Sequence, residues 1–250
     1  MEKTAKKDIS QSADNALRIL DCFEECDELG ITELARELGL GKASVSRLVA
    51  ALEKHKFLMQ NPKTGKYRLG LRLMLFGSLF QERNDIARAF SGAMLSLTKK
   101  YNATSHLACL NGADVLVINK ISAGPVVYMQ SRVGGTMPAH ASAMGKCILA
   151  FSAPEQLENV LEQTEFSRLT ENTVTDKATL MAQLNEIRRC GYALDDEEAA
   201  LGLFCVGVPV LDMSGRPVAA MSISGMKSLI EPQVEEIVGD LKTAVCSAAI

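Results

Sequence analysis

Between residues 42 and 68 the chain places Lys42, Arg47, Lys54, Lys56, Lys63, Lys66 and Arg68 against one carboxylate, Glu53, although the formal charge of all 250 residues is −3. A cationic stretch inside an acidic chain is the footprint of a module that holds a polyanion on one side only. Lys54 and Lys56 fit an ordinary solvated face equally well. Other residue types could support different chemistry. Gly145-Lys146 looks like the end of a phosphate-binding loop, but His140 stands where that motif needs its first glycine and Cys147 where it needs a hydroxyl. Cys205, His140 and Asp195 are the types of a Cys-His-Asp nucleophilic site, which need be neighbours only in space. Neither G-x-S-x-G nor H-E-x-x-H occurs. Cys22 and Cys26, one helical turn apart, could ligate a metal in a sensor, yet no histidine lies near and apolar packing is the competing reading. On balance no catalytic residue, metal or cofactor is expected.

The cations sit on a recognisable frame. Ile31, Leu34, Ala35 and Leu38 fall on one face of a short helix, with Thr32 available as N-cap and Gly39 as stop. Leu40-Gly41-Lys42 turns the chain, and Val45, Leu48, Val49 and Leu52 repeat the apolar spacing on a second helix. That helix leaves Lys42, Ala43, Ser46, Arg47 and Ala50 outward, and Ser44 shares its first turn. Small residues allow a deep approach to a major groove, while serine and arginine reach base edges or phosphates. Phe57-Leu58-Met59 and Tyr67-Arg68-Leu69 read as two strands around the Asn61–Lys66 turn, a wing that carries Lys63, Lys66 and Arg68. Helix, turn, helix and wing together describe a double-stranded DNA reader whose contacts are Lys42, Ala43, Ser44, Ser46, Arg47, Lys63, Lys66 and Arg68.

At 250 residues the chain accommodates two domains. No apolar run approaches the ~20 residues that span a bilayer, and the polar start, with Lys3, Lys6 and Lys7, lacks a signal-peptide core. Seven cysteines without a C-x-x-C pair suit reduced thiols and a cytoplasmic protein. After the wing, Leu71, Leu73, Met74, Leu75, Phe76, Leu79 and Phe80 make a helix apolar nearly all round, which requires cover. The same helix of a second subunit is the expected cover, and burial within one chain is the alternative. The expected divisions are a winged helix-turn-helix domain at 8–69, a linker helix at 70–84 and a second domain at 85–250.

The second domain opens with a helix from Asp85 to Lys100. Strands are expected at Leu107–Leu110, Asp114–Ser122, Val126–Arg132, Tyr192–Asp195, Phe204–Leu211 and Val218–Ser224, with turns at Asn111-Gly112 and Ser214-Gly215. Helices are expected at Ala141–Phe151, Pro154–Gln163, Lys177–Cys190 and Pro232–Ala248. The fold class is α+β, a largely antiparallel sheet with helices against it.

Two segments of this domain, HASAMGKCILA from His140 and RRCGYALDDEEAALGLFCVGVPVLDMSGRPVAAMSISG from Arg188 to Gly225, closely resemble the effector-binding domain of IclR-type bacterial transcriptional regulators. The order of parts matches that family along essentially the whole chain. The resemblance implies a GAF-like domain with a six-stranded antiparallel sheet, a homodimer or dimer of dimers acting on an inverted-repeat operator, and a pocket for a small organic acid. It also implies that the pocket is lined by Ala143, Met144, Asp195, Cys205, Ser222 and Ser224. Members include repressors and activators.

Residue chemistry fits a small anion there. Ser142 can cap a helix whose first turn, Ala143-Met144-Gly145, leaves backbone N–H groups with little side-chain cover. Ser222 and Ser224, two apart on a strand, share a sheet face. Cys205 adds a weak donor, and Asp195 an acceptor for a ligand hydroxyl or hydrated carbonyl. Other readings stay open. A strand serine pair can face solvent, a buried cysteine can be plain core, Asp196 and Glu198 fit a solvated capping loop, and His140 fits a structural or a ligand-contacting role equally.

Overall fold

The computed structural model describes residues 10–123 and 131–247, in two compact units, Met1–Arg83 and Asn84–Ile250. In the first, α1 (Gln11–Asp21), α2 (Ile31–Leu38) and α3 (Lys42–Lys54) enclose Ile19, Phe23, Leu34, Ala35, Val45 and Val49. Each such aliphatic side chain contributes about 1.5–3 kcal/mol by leaving water. The cap of α2 differs from expectation. Gly30 is the N-cap, and its N–H donates to Glu33 Oε2 at 2.6 Å, so Thr32 falls inside the helix. Gly39 does end α2, in the left-handed conformation at φ +66°. Strands β1 (Leu58–Gln60) and β2 (Tyr67–Leu69) pair antiparallel with Met59 opposite Arg68.

Helix α4 (Arg72–Arg83) buries none of its residues. Phe76 stacks on Phe57 with centroids 5.7 Å apart, and the Arg72 guanidinium lies over both rings. Met74, Leu75 and Phe80 remain exposed, Met74 at 77 %.

The second unit starts with α5 (Asp85–Tyr101), capped by Asn84, whose side chain accepts from the Ala87 N–H. Strands β3 (Thr104–Asn111), β4 (Asp114–Ser122) and β5 (Thr136–Pro138) follow, then a 3-10 turn at Ala139–Ala141 and helices α6 (Ala143–Phe151), α7 (Pro154–Gln163) and α8 (Lys177–Cys190). The chain closes with β6 (Ala193–Asp196), β7 (Leu203–Leu211), β8 (Pro217–Met226), α9 (Lys227–Ile230) and α10 (Val234–Ser247). Six strands form one sheet in the order β5-β4-β3-β8-β7-β6, every pair antiparallel. One face packs on α6, α7 and α8 through Ala108, Ala220, Met144, Leu180 and Leu184. The other packs on α5 and α10 through Leu107, Met221, Phe90 and Leu241. The protein is thus an α+β chain with an N-terminal winged helix-turn-helix unit and a C-terminal helix-flanked antiparallel sheet. Among the described residues, no helix is long and apolar enough to cross a membrane.

Element ends differ where turns intervene. The expected strand at Val126–Arg132 lies mostly outside the described residues, as does Ala248. Strand β5 and short α9 were not expected. The helix expected from Ala141 begins at Ala143, because Ala139–Ala141 turns in 3-10 geometry first, and Pro232 likewise belongs to a 3-10 turn before α10.

Gly145 marks the tightest approach in this unit. A Cβ there would stand 2.2 Å from the Ala139 carbonyl oxygen, a backbone atom that cannot swing away, whereas a Cβ at exposed Gly239 in α10 meets nothing within 4 Å. In thermal denaturation, Gly145→Ala should cost about 1–3 kcal/mol or more by overpacking, while Gly239→Ala should stabilise by roughly 0.5–1 kcal/mol. Equal effects at the two positions would show that the contact yields.

Candidate functional site

The outward surface of α3 is as the spacing predicts: Lys42, Ala43, Ser46, Arg47 and Ala50 are exposed and Ser44 is half-buried, while Val45 and Val49 are buried. In the wing, Lys63 and Arg68 are exposed. Lys66 is placed differently, with its ammonium 2.8 Å from Glu33 Oε1, so this cation braces the wing against the start of α2. A second brace comes from Glu28, which accepts from Asn61 Nδ2 at 2.6 Å and from Thr64 Oγ1 at 3.0 Å. The Asn61 hydrogen bond, first among several causes, holds the Glu28 carboxyl below its ordinary range. Cys22 is half-buried and Cys26 exposed, so Cys26 is not core. Among the described residues no three His, Cys, Asp or Glu side chains converge as a metal would require.

In the second unit the register assembles the other set. Ser224 on β8 pairs with Cys205 on β7, and Cys205 with Asp195 on β6. Ser222 pairs with Gly207 on one side and His106 on the other. Ser222, Ser224, Cys205 and Asp195 are all buried, and their parity places them with Ala220 and Ala108 on the face toward α6. The serines therefore do not face solvent. A Cβ on Gly207 would sit 3.2 Å from Ala143, so glycine lets the start of α6 approach the sheet. Ser142 caps α6, its Oγ accepting from the Gly145 N–H at 3.1 Å. The first-turn amides of Ala143 and Met144 stay outside the intrahelical ladder. Ala143 and Met144 are themselves buried.

The acidic segment after β6 is more deeply engaged than a solvated loop. Asp195 Oδ1 accepts from the backbone N–H groups of Glu198 and Ala199 at 2.9 and 3.2 Å, so part of its acceptor capacity holds the turn. Glu198 is buried and pairs with Lys146 of α6 at 2.5 Å, and Lys146 also donates to Gln183 at 3.0 Å. Burial raises the Glu198 carboxyl above its ordinary range, with Lys146 pulling the other way. Asp196 is exposed and pairs with Lys227.

Burial first, and Asp195 second, push the Cys205 thiol well above its ordinary value. His140 bonds the Ser167 carbonyl through Nε2 at 3.3 Å and packs on Phe166, while its Nδ1 has no hydrogen-bond partner among the described residues.

His106 was not singled out by the sequence. It is buried on the same face, with Nε2 2.9 Å from Ser131 Oγ and Nδ1 without a hydrogen-bond partner among the described residues. Lys120, its cross-strand neighbour on β4, donates to the Ser131 carbonyl at 2.5 Å. Only a cross-strand register brings these groups together.

Comparison with known proteins adds two family matches: the IclR helix-turn-helix domain over residues 12–62 and the bacterial transcriptional regulator IclR C-terminal domain over residues 80–248. The chain is 36 % identical over 224 residues to the HTH-type transcriptional regulator XynR of Escherichia coli, covering 89 % of each chain. It resembles the crystal structure of an IclR transcriptional regulator from Alicyclobacillus acidocaldarius at 26 % identity and TM-score 0.84, covering 96 % of this chain and 98 % of that one. It also resembles an IclR homologue from Microbacterium hydrocarbonoxydans complexed with 4-hydroxybenzoate, at 25 % identity and TM-score 0.79, covering 94 % and 96 %.

Burial, helped by the Lys120 charge, depresses the His106 pKa from 6.5 to about 3. Between those values the unfolded chain binds a proton that the folded chain refuses, so stability rises with pH across the window and is lost as pH falls, by up to about 1.4 kcal/mol per unit. Urea unfolding from pH 7.5 to 4.5 should therefore show a shallower loss for His106→Phe than for the wild type. An unchanged slope would mean that the ring is protonated in the folded state.

Proposed function

The chain belongs to the IclR family of bacterial DNA-binding transcriptional regulators, and we propose that a small organic acid, bound in its second unit, controls its action at an inverted-repeat operator. The observation that carries this reading is the convergence of Ser222, Ser224, Cys205 and Asp195 on the sheet face under the start of α6. A buried carboxylate needs compensating donors. The Ala143 and Met144 amides, the positive end of α6 and the two hydroxyls are of the right kind. Support for the ligand class comes from the Microbacterium relative, which is complexed with an aromatic acid. Met144 sets the size of acid admitted.

For DNA, Lys42, Ala43, Ser44, Ser46 and Arg47 enter the major groove, and Lys63 and Arg68 hold phosphates. Lys66 joins them only by loosening its pair with Glu33. The exposed apolar face of α4 is covered by α4 of a second copy, which spaces two winged helices for two half-sites. The setting for this is a soluble protein of the cytoplasm, where operator and organic acids meet.

Three measurements follow. With operator selected from a random pool, Arg47→Ala should cost about 1–3 kcal/mol at its base position and flatten specificity, whereas Lys63→Ala should weaken all DNA alike and lower the salt slope by about one. Undiminished specificity in Arg47→Ala would remove α3 from the groove. Leu75→Asp with Leu79→Asp should convert a dimer into monomers by light scattering and reduce operator affinity with it, and a monomeric wild type at micromolar concentration would refute the interface. A thermal-shift screen of carboxylic acids should return a ligand that adds about 2.7 kcal/mol at 100 times its Kd. Calorimetry should then show Ser222→Ala or Ser224→Ala weakening it by about 1.5–3 kcal/mol, and full affinity in both variants would place the ligand elsewhere.

A further inference from the structure

Beside the serines, the sheet face carries a polar atom that neither fold nor helix cap explains. His106 is the cross-strand partner of Ser222, is 2 % exposed, and leaves Nδ1 buried without a partner among the described residues. An unpaired buried nitrogen is costly and native structures keep few of them. Its other nitrogen is engaged by Ser131 Oγ, and the Ser131 carbonyl by Lys120, so the ring is held in place from one side only. Burial and the Lys120 charge keep it neutral.

A neutral imidazole has one N–H and one lone pair. Ser131 Oγ can donate to Nε2 or accept from it, so Nδ1 is a donor in one tautomer and an acceptor in the other. A hydroxyl satisfies both, a carboxylate only the first and a methyl neither. Cross-strand neighbours stand about 4.5–5.5 Å apart at Cβ, which sets the reach from a group on Ser222 to one on His106 at a few bonds.

Resting on the reading that Ser222, Ser224 and the start of α6 hold a carboxylate, we propose that His106 Nδ1 binds a hydroxyl of the same ligand. The effector is then a hydroxylated acid whose hydroxyl lies one or two carbons from the carboxylate, and His106 is a specificity residue of the pocket. Lys120 and Ser131 are positioning residues behind it.

The test is calorimetry on the full chain with matched acids: glycolate against acetate, lactate against propionate, and 3-hydroxybutyrate against butyrate. The wild type should favour at least one hydroxylated member by about tenfold, the worth of one well-made hydrogen bond. His106→Phe should lose that preference while binding the deoxy acid within twofold of wild type. His106→Asn, whose amide offers a donor and an acceptor near the place of Nδ1, should regain part of it. Ser222→Ala should weaken both members of a pair alike. Should His106→Phe fail to fold, the wild-type preference and the His106→Asn variant decide. No preference in the wild type, or full preference in a folded His106→Phe, overturns the assignment while leaving the carboxylate reading intact if Ser222→Ala still weakens both acids. Indifference of both acids to Ser222→Ala and Ser224→Ala, or no binding of any acid, overturns both.

Discussion

Lys146 and Glu198 face each other where water scarcely reaches, their side chains 2 % and 8 % exposed. Removing one member of such a pair strands the other charge and typically costs about 3–5 kcal/mol, so the elements that bring them together are not free to drift. Lys146 stands on the second turn of α6, directly after the glycine that lets this helix lie against Ala139. Glu198 stands on the turn after β6, whose backbone is held by Asp195 from one side and by the hydroxyls of Thr170 and Thr173 from the other. The start of α6 is thereby pinned over β7 and β8. A helix end aimed at a sheet face can recognise an anion only if both hold still, and the ion pair supplies that rigidity behind the serines.

The two units use charge in opposite ways. In the second, ionic groups are buried, paired and positional: Lys146, Glu198 and the Asp195 turn shape the site. In the first, the cations of α3 and the wing tip are kept at the surface, while two carboxylates, Glu28 and Glu33, brace the wing from behind. A wing braced by these two acids loses less entropy if Lys63 and Arg68 meet phosphates, as proposed. At the end of the first unit, α4 leaves Met74, Leu75 and Phe80 exposed among the described residues. Exposed apolar surface of this density on a helix adjoining a DNA-reading unit fits self-association better than a free surface.

Much of this was legible in sequence because it repeats at a fixed period. The stripes of α2 and α3, the strand pair of the wing and the alternation that puts Ser222 and Ser224 on one face need only neighbours within a few residues. The cap of α2 is not fixed by local sequence, since Thr32 and Gly30 are both acceptable near a helix start and the Glu33 side chain selects Gly30. In sequence Glu198 reads as part of a solvated loop, because its partner lies 52 residues away. His106 carried no local signal at all. It acquires meaning from the register of β3 against β8 and β4, which no periodicity encodes. The family resemblance singles out positions on β6, β7 and β8, and the register of β3 adds His106 beside them.

Occupancy of the proposed sheet-face pocket should be linked to DNA affinity, and linkage is measurable in one titration. Operator binding by the full chain is followed by fluorescence anisotropy, at fixed salt, with and without a saturating amount of the acid returned by the thermal screen. A change of about fivefold or more in operator Kd, of either sign, is the expected result, and it should vanish in the Ser222→Ala, Ser224→Ala double variant. An operator Kd that is the same with and without bound acid would contradict the claim, however tightly the acid binds.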